Sequence, residues 1–395
     1  MVKQTIRLYL LLKVVMALGI SFISATYVMF LISKGLNLFE VNLVNCVFFT
    51  TLFICEIPTG VVADVFGRKV SFIISCFLFS ISLFVYAGSN GIWFFVLAEA
   101  IGAVARTFES GAFQAWVVDR LKYYDYAEPI QPIFKKEQQF AQGATIVGAL
   151  AGAFLADKNL ALPWIAGGIT TFVAGVLAIF LMKEEYFVRE KFSFREGLRS
   201  MRTTTANSIR YGVKNKAIRF IILVSAVQFF ALQAPNMQWQ PLFSQHFDSK
   251  TSFGFLYVGI SVCIIIGSSL SSLLLKKVRD ERMALVVSQA MIGVAIVITA
   301  YFSSYQIAIL LFLSHEVARG AFTPIKDAYL NDNIPSKERA TLISFESISH
   351  HIGGAGGLIV SGLLAQTTSI PLTWILSGSF LIIAAIILGK NGKRI

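Results

Sequence analysis

Charge is scarce in this chain. Asp, Glu, Lys and Arg make up only 14% of its 395 residues, against roughly 25% in soluble domains. A soluble protein of this length could bury a large core but would still need a charged exterior, so that class is excluded. Cysteine is nearly absent too. Cys46, Cys55, Cys76 and Cys263 all fall within apolar segments, where they read as small apolar residues and not as disulfides or metal ligands. No HExxH, CxxC, phosphate loop or nucleophile elbow occurs, so an enzyme has no support and no cofactor is expected. The apolar runs are continuous, not alternating, which excludes a membrane β-barrel.

Apolar length is what remains. Hydrophobic residues form 56% of the chain, in recurring runs of about 20 residues, each long enough to cross a bilayer core of roughly 30 Å. The class is an all-α polytopic membrane protein. Twelve transmembrane helices are predicted at 8–32, 41–63, 70–88, 92–118, 138–156, 162–182, 218–242, 253–275, 283–302, 306–330, 340–365 and 370–389. Lys3 and Arg7 before an apolar run resemble a signal peptide, but Lys13 interrupts the run and it continues to Ile32, which favours an uncleaved first helix.

The net charge of +12 raises the question of nucleic acid, and its distribution answers it. With both termini inside, all but seven of the 34 Lys and Arg fall on the cytoplasmic side. Lys34, Lys158 and Lys250 fall outside; Lys13, Arg106, Arg319 and Lys326 lie within spans. That asymmetry follows the positive-inside rule and places the chain in the cell membrane, its bases facing anionic headgroups of the lipid bilayer. No nucleic-acid partner is expected.

The spans divide six and six around the longest polar segment, Lys183 to Arg219, which holds ten bases and four acids. The expected organisation is an N-terminal bundle at 1–182, a cytoplasmic linker at 183–217 and a C-terminal bundle at 218–395. Phe192, Phe194, Leu198 and Met201 give the linker an amphipathic face. A second charged loop is expected from Asp119 to Glu137. An internal repeat supports two bundles. Ala105-Arg106, Ala115-Trp116 and Asp119 recur as Ala318-Arg319, Ala328-Tyr329 and Asp332, each offset by 213 residues.

One short stretch carries a pattern of its own. Gly60, Asp64, Gly67, Arg68 and Lys69 form a polar turn between spans 2 and 3. It resembles the loop of the major facilitator superfamily, a family of secondary transporters, whose pattern is Gly-x-x-x-Asp-(Arg/Lys)-x-Gly-(Arg/Lys)-(Arg/Lys). Val65 replaces one base; every other fixed position matches. The resemblance implies two pseudo-symmetric six-helix bundles, parallel halves each built of inverted three-helix repeats. It also implies that Asp64 faces the N-terminus of span 11, near Arg339 to Phe345, where the helix dipole favours a carboxylate. Arg68 would pair with Asp119, and together these contacts would latch the cytoplasmic face shut. Gly60 would admit a neighbouring helix closely. The second half keeps the bases Lys276, Lys277 and Arg279 but has neither the glycine turn nor the aspartate, so the latch is one-sided. A charged turn that only fixes topology is the alternative.

Ionisable residues also fall inside spans: Lys13, Glu56, Glu99, Arg106, Glu109, Glu316, Arg319, Lys326, Asp327 and Glu346. Each costs about 2.5–3.5 kcal/mol at the centre of an inserted helix, so they must pair or line a wet cavity. Glu99, Gly102, Arg106 and Glu109 share one face of span 4, and Glu316 and Arg319 repeat the i,i+3 spacing of Arg106 and Glu109 in reverse order. The resemblance implies that spans 1, 4, 7 and 10 line the central cavity. A carboxylate beside an arginine exchanges partners when protonated, a route to proton coupling. Glu109 is the first candidate and Glu316 the second, with structural ion pairs as the alternative. Candidate cavity residues are Lys13, Ser24, Tyr27 and Glu99, and Gln233, Asn236, Trp239 and Gln240 of span 7, where Pro235 is able to break the helix. His350 and His351 point about 100° apart on a helix, poor geometry for one metal.

The leading expectation is a secondary transporter of a small-molecule substrate, exporting an amphipathic or toxic compound in exchange for protons. Drug/proton antiporters of the superfamily carry Gly-x-x-x-Gly-Pro-x-x-Gly-Gly in span 5; here Gly143, Gly148 and Gly152 occur without the proline. One alternative is an organic-anion carrier, with Arg106 and Arg319 as a bidentate clamp. Another is a non-transporting sensor or scaffold. A monomer suffices to form the pathway.

Overall fold

The computed structural model describes residues 1–187, 215–302, 304–333 and 339–390, leaving aside the side chains of Ile57, Asn331 and 339–348. Among them every regular element is an α-helix. In chain order these are α1 Val2–Ser21, α2 Tyr27–Ser33, α3 Leu38–Phe66, α4 Arg68–Gly88, α5 Ile92–Glu109, α6 Ala112–Tyr123, α7 Gln131–Lys158 and α8 Leu162–Leu181. They continue with α9 Lys216–Ser244, α10 Thr251–Val278, α11 Glu281–Tyr301, α12 Tyr305–Asn333, α13 Arg339–Thr367 and α14 Ile370–Lys390. Nine helices among the described residues are long and apolar enough to cross a membrane. Large apolar side chains stand exposed along them, Phe180 at 76% and Ile54 at 62% among others, which lipid tolerates and water does not.

Three local features differ from the sequence expectation. Spans 1 and 4 are each two helices. Ser21, Ser24 and Thr26 stand at or within the first break, where the backbone turns on hydrogen bonds from Ser24 N–H to the Ser21 carbonyl and from Thr26 N–H to that of Ile23. The Ser21 hydroxyl donates to the Leu18 carbonyl at 3.0 Å, a side-chain bond of the kind that competes with the helical ladder. In the second, Gly111 adopts φ 74°, a left-handed conformation that favours glycine. Conversely, α9 runs unbroken through Pro235. Proline removes a helical hydrogen bond to the carbonyl four residues earlier, and that carbonyl, Ala231, accepts a 2.6 Å bond from the Ser377 hydroxyl instead. Finally, α7 begins at Gln131, so Glu137 lies in a helix and the charged loop is shorter than expected.

The chain clusters into two compact units. One comprises Met1–Leu36, Val47–Met201 and Phe247–Val258; the other comprises Asn37–Cys46, Arg202–His246 and Gly259–Ile395. In the first, Tyr9, Leu12, Phe72, Phe113 and Trp116 form a buried core. In the second, Phe220, Ile221, Leu285, Ile325 and Tyr329 do so. Trp116 and Tyr329, a repeat pair in the sequence, thus occupy the two cores.

Packing repeats as well. In the first unit α1 packs on α7 and α8, and α4 on α5 and α8; in the second α9 packs on α13 and α14, and α11 on α12 and α14. Glycines four apart set the α1–α7 and α9–α13 contacts. A methyl group added to Gly152 would overlap the Phe22 carbonyl, and one on Gly357 would overlap that of Phe230. Gly148 and Gly353 meet the Leu18 and Ala226 carbonyls in the same way, at 2.8 and 2.9 Å. Small residues let backbones approach this closely inside a membrane.

Candidate functional site

The first unit gathers four charged side chains from three helices into one cluster. Tyr9 and Lys13 lie one turn apart on α1, Arg106 and Glu109 close the last turn of α5, and α7 supplies Glu137. Lys13 Nζ sits 2.9 Å from Glu109 Oε1 and 3.6 Å from Glu137 Oε1. Arg106 Nη1 holds the other Glu109 oxygen at 2.5 Å, and Tyr9 donates its hydroxyl proton to Glu137 at 2.6 Å. Two cations face two carboxylates, so the group is neutral as a whole. A cavity of about 360 Å³ opens beside it, lined by Lys13, Gln114, Glu137, Gln138, Gln142 and Thr145 among others. Its polar walls suit water and protons.

Glu99 stands apart. It is buried and accepts a hydrogen bond from Tyr86, whose hydroxyl lies 3.4 Å from that of Tyr27. Glu99, Gly102, Arg106, Tyr27, Tyr86 and Trp164 share a cavity of about 310 Å³. The structure therefore brings Glu99, Gly102 and Arg106 to one wall, as their shared face predicts, and turns Glu109 into the Lys13 cluster. Ser24 lies in the turn between α1 and α2.

In the second unit Glu316 is buried at 3% exposure and His315 at 1%. Glu316 Oε1 is 3.4 Å from Arg319 Nη1 and 3.4 Å from His315 Nε2. The same Arg319 nitrogen donates to Asn236 Oδ1 at 2.9 Å, linking α12 to α9. Gln233 and Gln240, on α9, are buried, as is Trp239, whose ring stacks at 6.3 Å on that of Phe312. Gln233 donates to the Phe229 carbonyl of its own helix at 3.1 Å.

The turn after span 2 is tighter than the sequence suggests: α3 runs to Phe66 and α4 starts at Arg68, so Gly67 alone makes the corner. Its φ is 99°. A side chain there would also meet Glu184, whose Oε2 would lie 2.6 Å from an added Cβ. Glu184 caps α4, accepting from the Arg68 and Lys69 amides at 2.7 and 3.0 Å. Four first-turn amides of any helix need such partners. Burial pushes the Glu184 carboxyl above the ordinary glutamate value, against the pull of these amides and of Arg68. Arg68 lies 3.1 Å from Asp64 and 3.9 Å from Asp119. Among the described residues nothing comes within 4 Å of a Cβ added to Gly60. The side chains of 339–348, opposite which Asp64 is expected, lie outside the described residues.

Sequence reasoning missed Tyr9, Tyr86, Glu137, Glu184 and His315. Glu137 and Glu184 were legible only as loop or linker charges. Tyr9 and Tyr86 look like interfacial aromatics until their carboxylate partners are known. His315 had a signal, its adjacency to Glu316 in a span, which passed unused.

A multi-span α-helical protein with charge clusters inside its spans has carrier architecture. The Major Facilitator Superfamily family model matches residues 138–313 and 221–391. The chain belongs to this superfamily of membrane transporters. It is 22% identical over 378 residues to the uncharacterized MFS-type transporter YxaM of Bacillus subtilis, covering 94% of this chain and 92% of that protein. It is 21% identical over 310 residues to Multidrug resistance protein 2 of the same organism, covering 76% and 74%. Among solved structures it is similar to the nucleoside transporter NupG, with a TM-score of 0.77, 15% identity and 98% of both chains covered; at that identity the likeness concerns the fold.

Proposed function

We propose that this transporter exports an amphipathic or toxic compound in exchange for protons, working by alternating access in the cell membrane with both termini in the cytoplasm. The observation that carries the proposal is the pairing of a buried carboxylate with an arginine in each unit, Glu109 with Arg106 and Glu316 with Arg319. Protonating Glu109 removes the charge that Lys13 and Arg106 share, so one proton unties α1 from α5 at this point and leaves Lys13 to Glu137 of α7. Similarity to a multidrug resistance protein supports the export direction. Arg68, between Asp64 and Asp119, serves as the cytoplasmic latch.

Export is tested with the purified protein in liposomes under an imposed pH gradient, against a panel of cationic dyes and organic anions. Wild type should move a dye faster with the gradient than without it. Glu109→Gln should keep downhill movement and lose the acceleration; unchanged acceleration removes Glu109 from coupling. Arg106 reaches solvent at 50% exposure and lines the aromatic cavity, which favours an organic-anion carrier as the second reading. Loss of anion flux alone in Arg106→Ala and Arg319→Ala would establish that reading instead. Absence of flux across the whole panel would defeat both.

A further inference from the structure

We infer that His315 and Glu316 hold a single proton between them, and that this proton decides whether Arg319 engages Asn236 or Glu316. The inference rests on the proton-coupled reading above and moves its chemistry to a histidine that reading does not use.

The imidazole orientation leads the argument. His315 Nδ1 hydrogen-bonds the Phe312 carbonyl one turn earlier. A carbonyl oxygen only accepts, so Nδ1 carries a hydrogen. Nε2 is buried, makes no hydrogen bond and lies 3.4 Å from Glu316 Oε1. In a neutral ring with Nδ1 protonated, Nε2 presents a lone pair. An ionised Glu316 presents another directly opposite. Glu316 Oε2 is also buried without a hydrogen bond. The His315 ring packs against Phe312 at 4.8 Å, and Trp239 and Trp374 stack on that same phenyl ring at 6.3 and 5.7 Å. Two facing lone pairs in such a site repel, and burying either without a partner costs about 1–3 kcal/mol. One added proton converts the repulsion into a hydrogen bond. Imidazolium with carboxylate and imidazole with carboxylic acid are both neutral pairs, and both satisfy the geometry.

Losing that proton to the aqueous side leaves the pair with one negative charge. Among the described residues its neighbours are these. On α12 Arg319 lies within reach; α10 contributes Cys263, a titratable neighbour of Glu316. From α9 Asn236 meets Arg319 and Trp239 packs on Phe312, as Trp374 of α14 does, none of them ionisable in the working range. Arg319 currently spends its shorter bond on Asn236, at 2.9 Å, with Glu316 at 3.4 Å. Deprotonation draws the guanidinium onto Glu316 and releases the Asn236 amide of α9. Proton occupancy thereby reaches a second helix. The Lys13 cluster offers a contrast: each of its carboxylates already has a cation or a phenol within bonding distance.

The full-length protein in lipid vesicles tests this without a transported compound. The chain has four histidines, so ¹⁵N-imidazole spectra can be assigned by comparison with His315→Gln. Wild type should show His315 with Nδ1 protonated; protonation at Nε2 alone would overturn the inference. Infrared pH titration should then show one carboxyl signal that vanishes in Glu316→Gln. His315→Gln should move its midpoint by about one pH unit or more, the mark of coupled sites. His315→Asn, which keeps a donor for the Phe312 carbonyl, should move it as well and serves if the glutamine variant does not fold. A wild-type midpoint in either folded variant overturns the shared proton. Flux in the same vesicles separates the two ideas. Coupled titration without gradient-driven flux supports the shared proton and defeats proton-coupled export; gradient-driven flux with an uncoupled titration does the reverse.

Discussion

Replacing Gly152 with alanine perturbs the fold at the point where α7 meets the end of α1. An added Cβ would overlap the Phe22 carbonyl oxygen and stand 2.6 Å from its carbon and 2.9 Å from its Cα. These are backbone atoms, so no rotamer change relieves the clash. The two helices would have to separate by on the order of 1 Å, and overpacking of this kind costs about 1–3 kcal/mol. Alanine also gains about 0.5–1 kcal/mol over glycine as a helix former. Gly143, on the same helix, isolates that second effect, because nothing described lies within 4 Å of its added Cβ. Gly143→Ala should therefore match or exceed wild-type stability, whereas Gly152→Ala should lose about 1–2 kcal/mol net. Denaturant unfolding of the two purified variants, side by side in the same detergent, measures the difference. Equal stability would show that α1 and α7 are not in backbone contact at this glycine.

Tyr9→Phe removes the proton donated to Glu137 and leaves a buried carboxylate oxygen unpaired, at about 1–3 kcal/mol; thermal unfolding should show the loss, with partial recovery when Glu137→Gln is added, and unchanged stability would separate Tyr9 from the cluster. Glu184 supplies a pH dependence. Its folded carboxyl is raised from 4.5, chiefly by burial, so between the unfolded and folded values the native protein binds more protons, and stability present at lower pH is lost as pH rises through the folded value. Glu184→Gln should flatten that decline in stability measured upward from pH 4.5; an identical slope would show that Glu184 does not set it.

Hydropathy located the helices because crossing a bilayer demands continuous apolar length, a property that survives averaging over a window. The same averaging hid the breaks in spans 1 and 4, where Gly111 and the cluster around Ser24 act through single-residue backbone geometry. Pro235 misled for the converse reason: its fate depends on Ser377, 142 residues away, which binds the carbonyl that proline leaves free. The 213-residue repeat was readable because both halves keep Arg, Trp or Tyr, and Asp at matched positions, and the buried pair Trp116 and Tyr329 gives that match a packing role. The charge clusters were half legible. Within-helix pairs such as Arg106 and Glu109 follow from spacing, but Lys13, Tyr9 and Glu137 reach the site from other helices, and spacing carries no information about which faces converge. Gly67 was legible as a turn; its second role, clearing room for the Glu184 carboxylate, was not.

Proton movement driven by solute tests proton-coupled export most directly. Liposomes containing the protein and an internal pH indicator, at equal pH on both sides, are given any compound that the flux panel shows to be transported. The account predicts that compound entry on one side drives protons the opposite way in wild type, and that Glu109→Gln abolishes this proton displacement while the compound still moves down its gradient. Movement of the compound by wild type with no displacement of protons would contradict it.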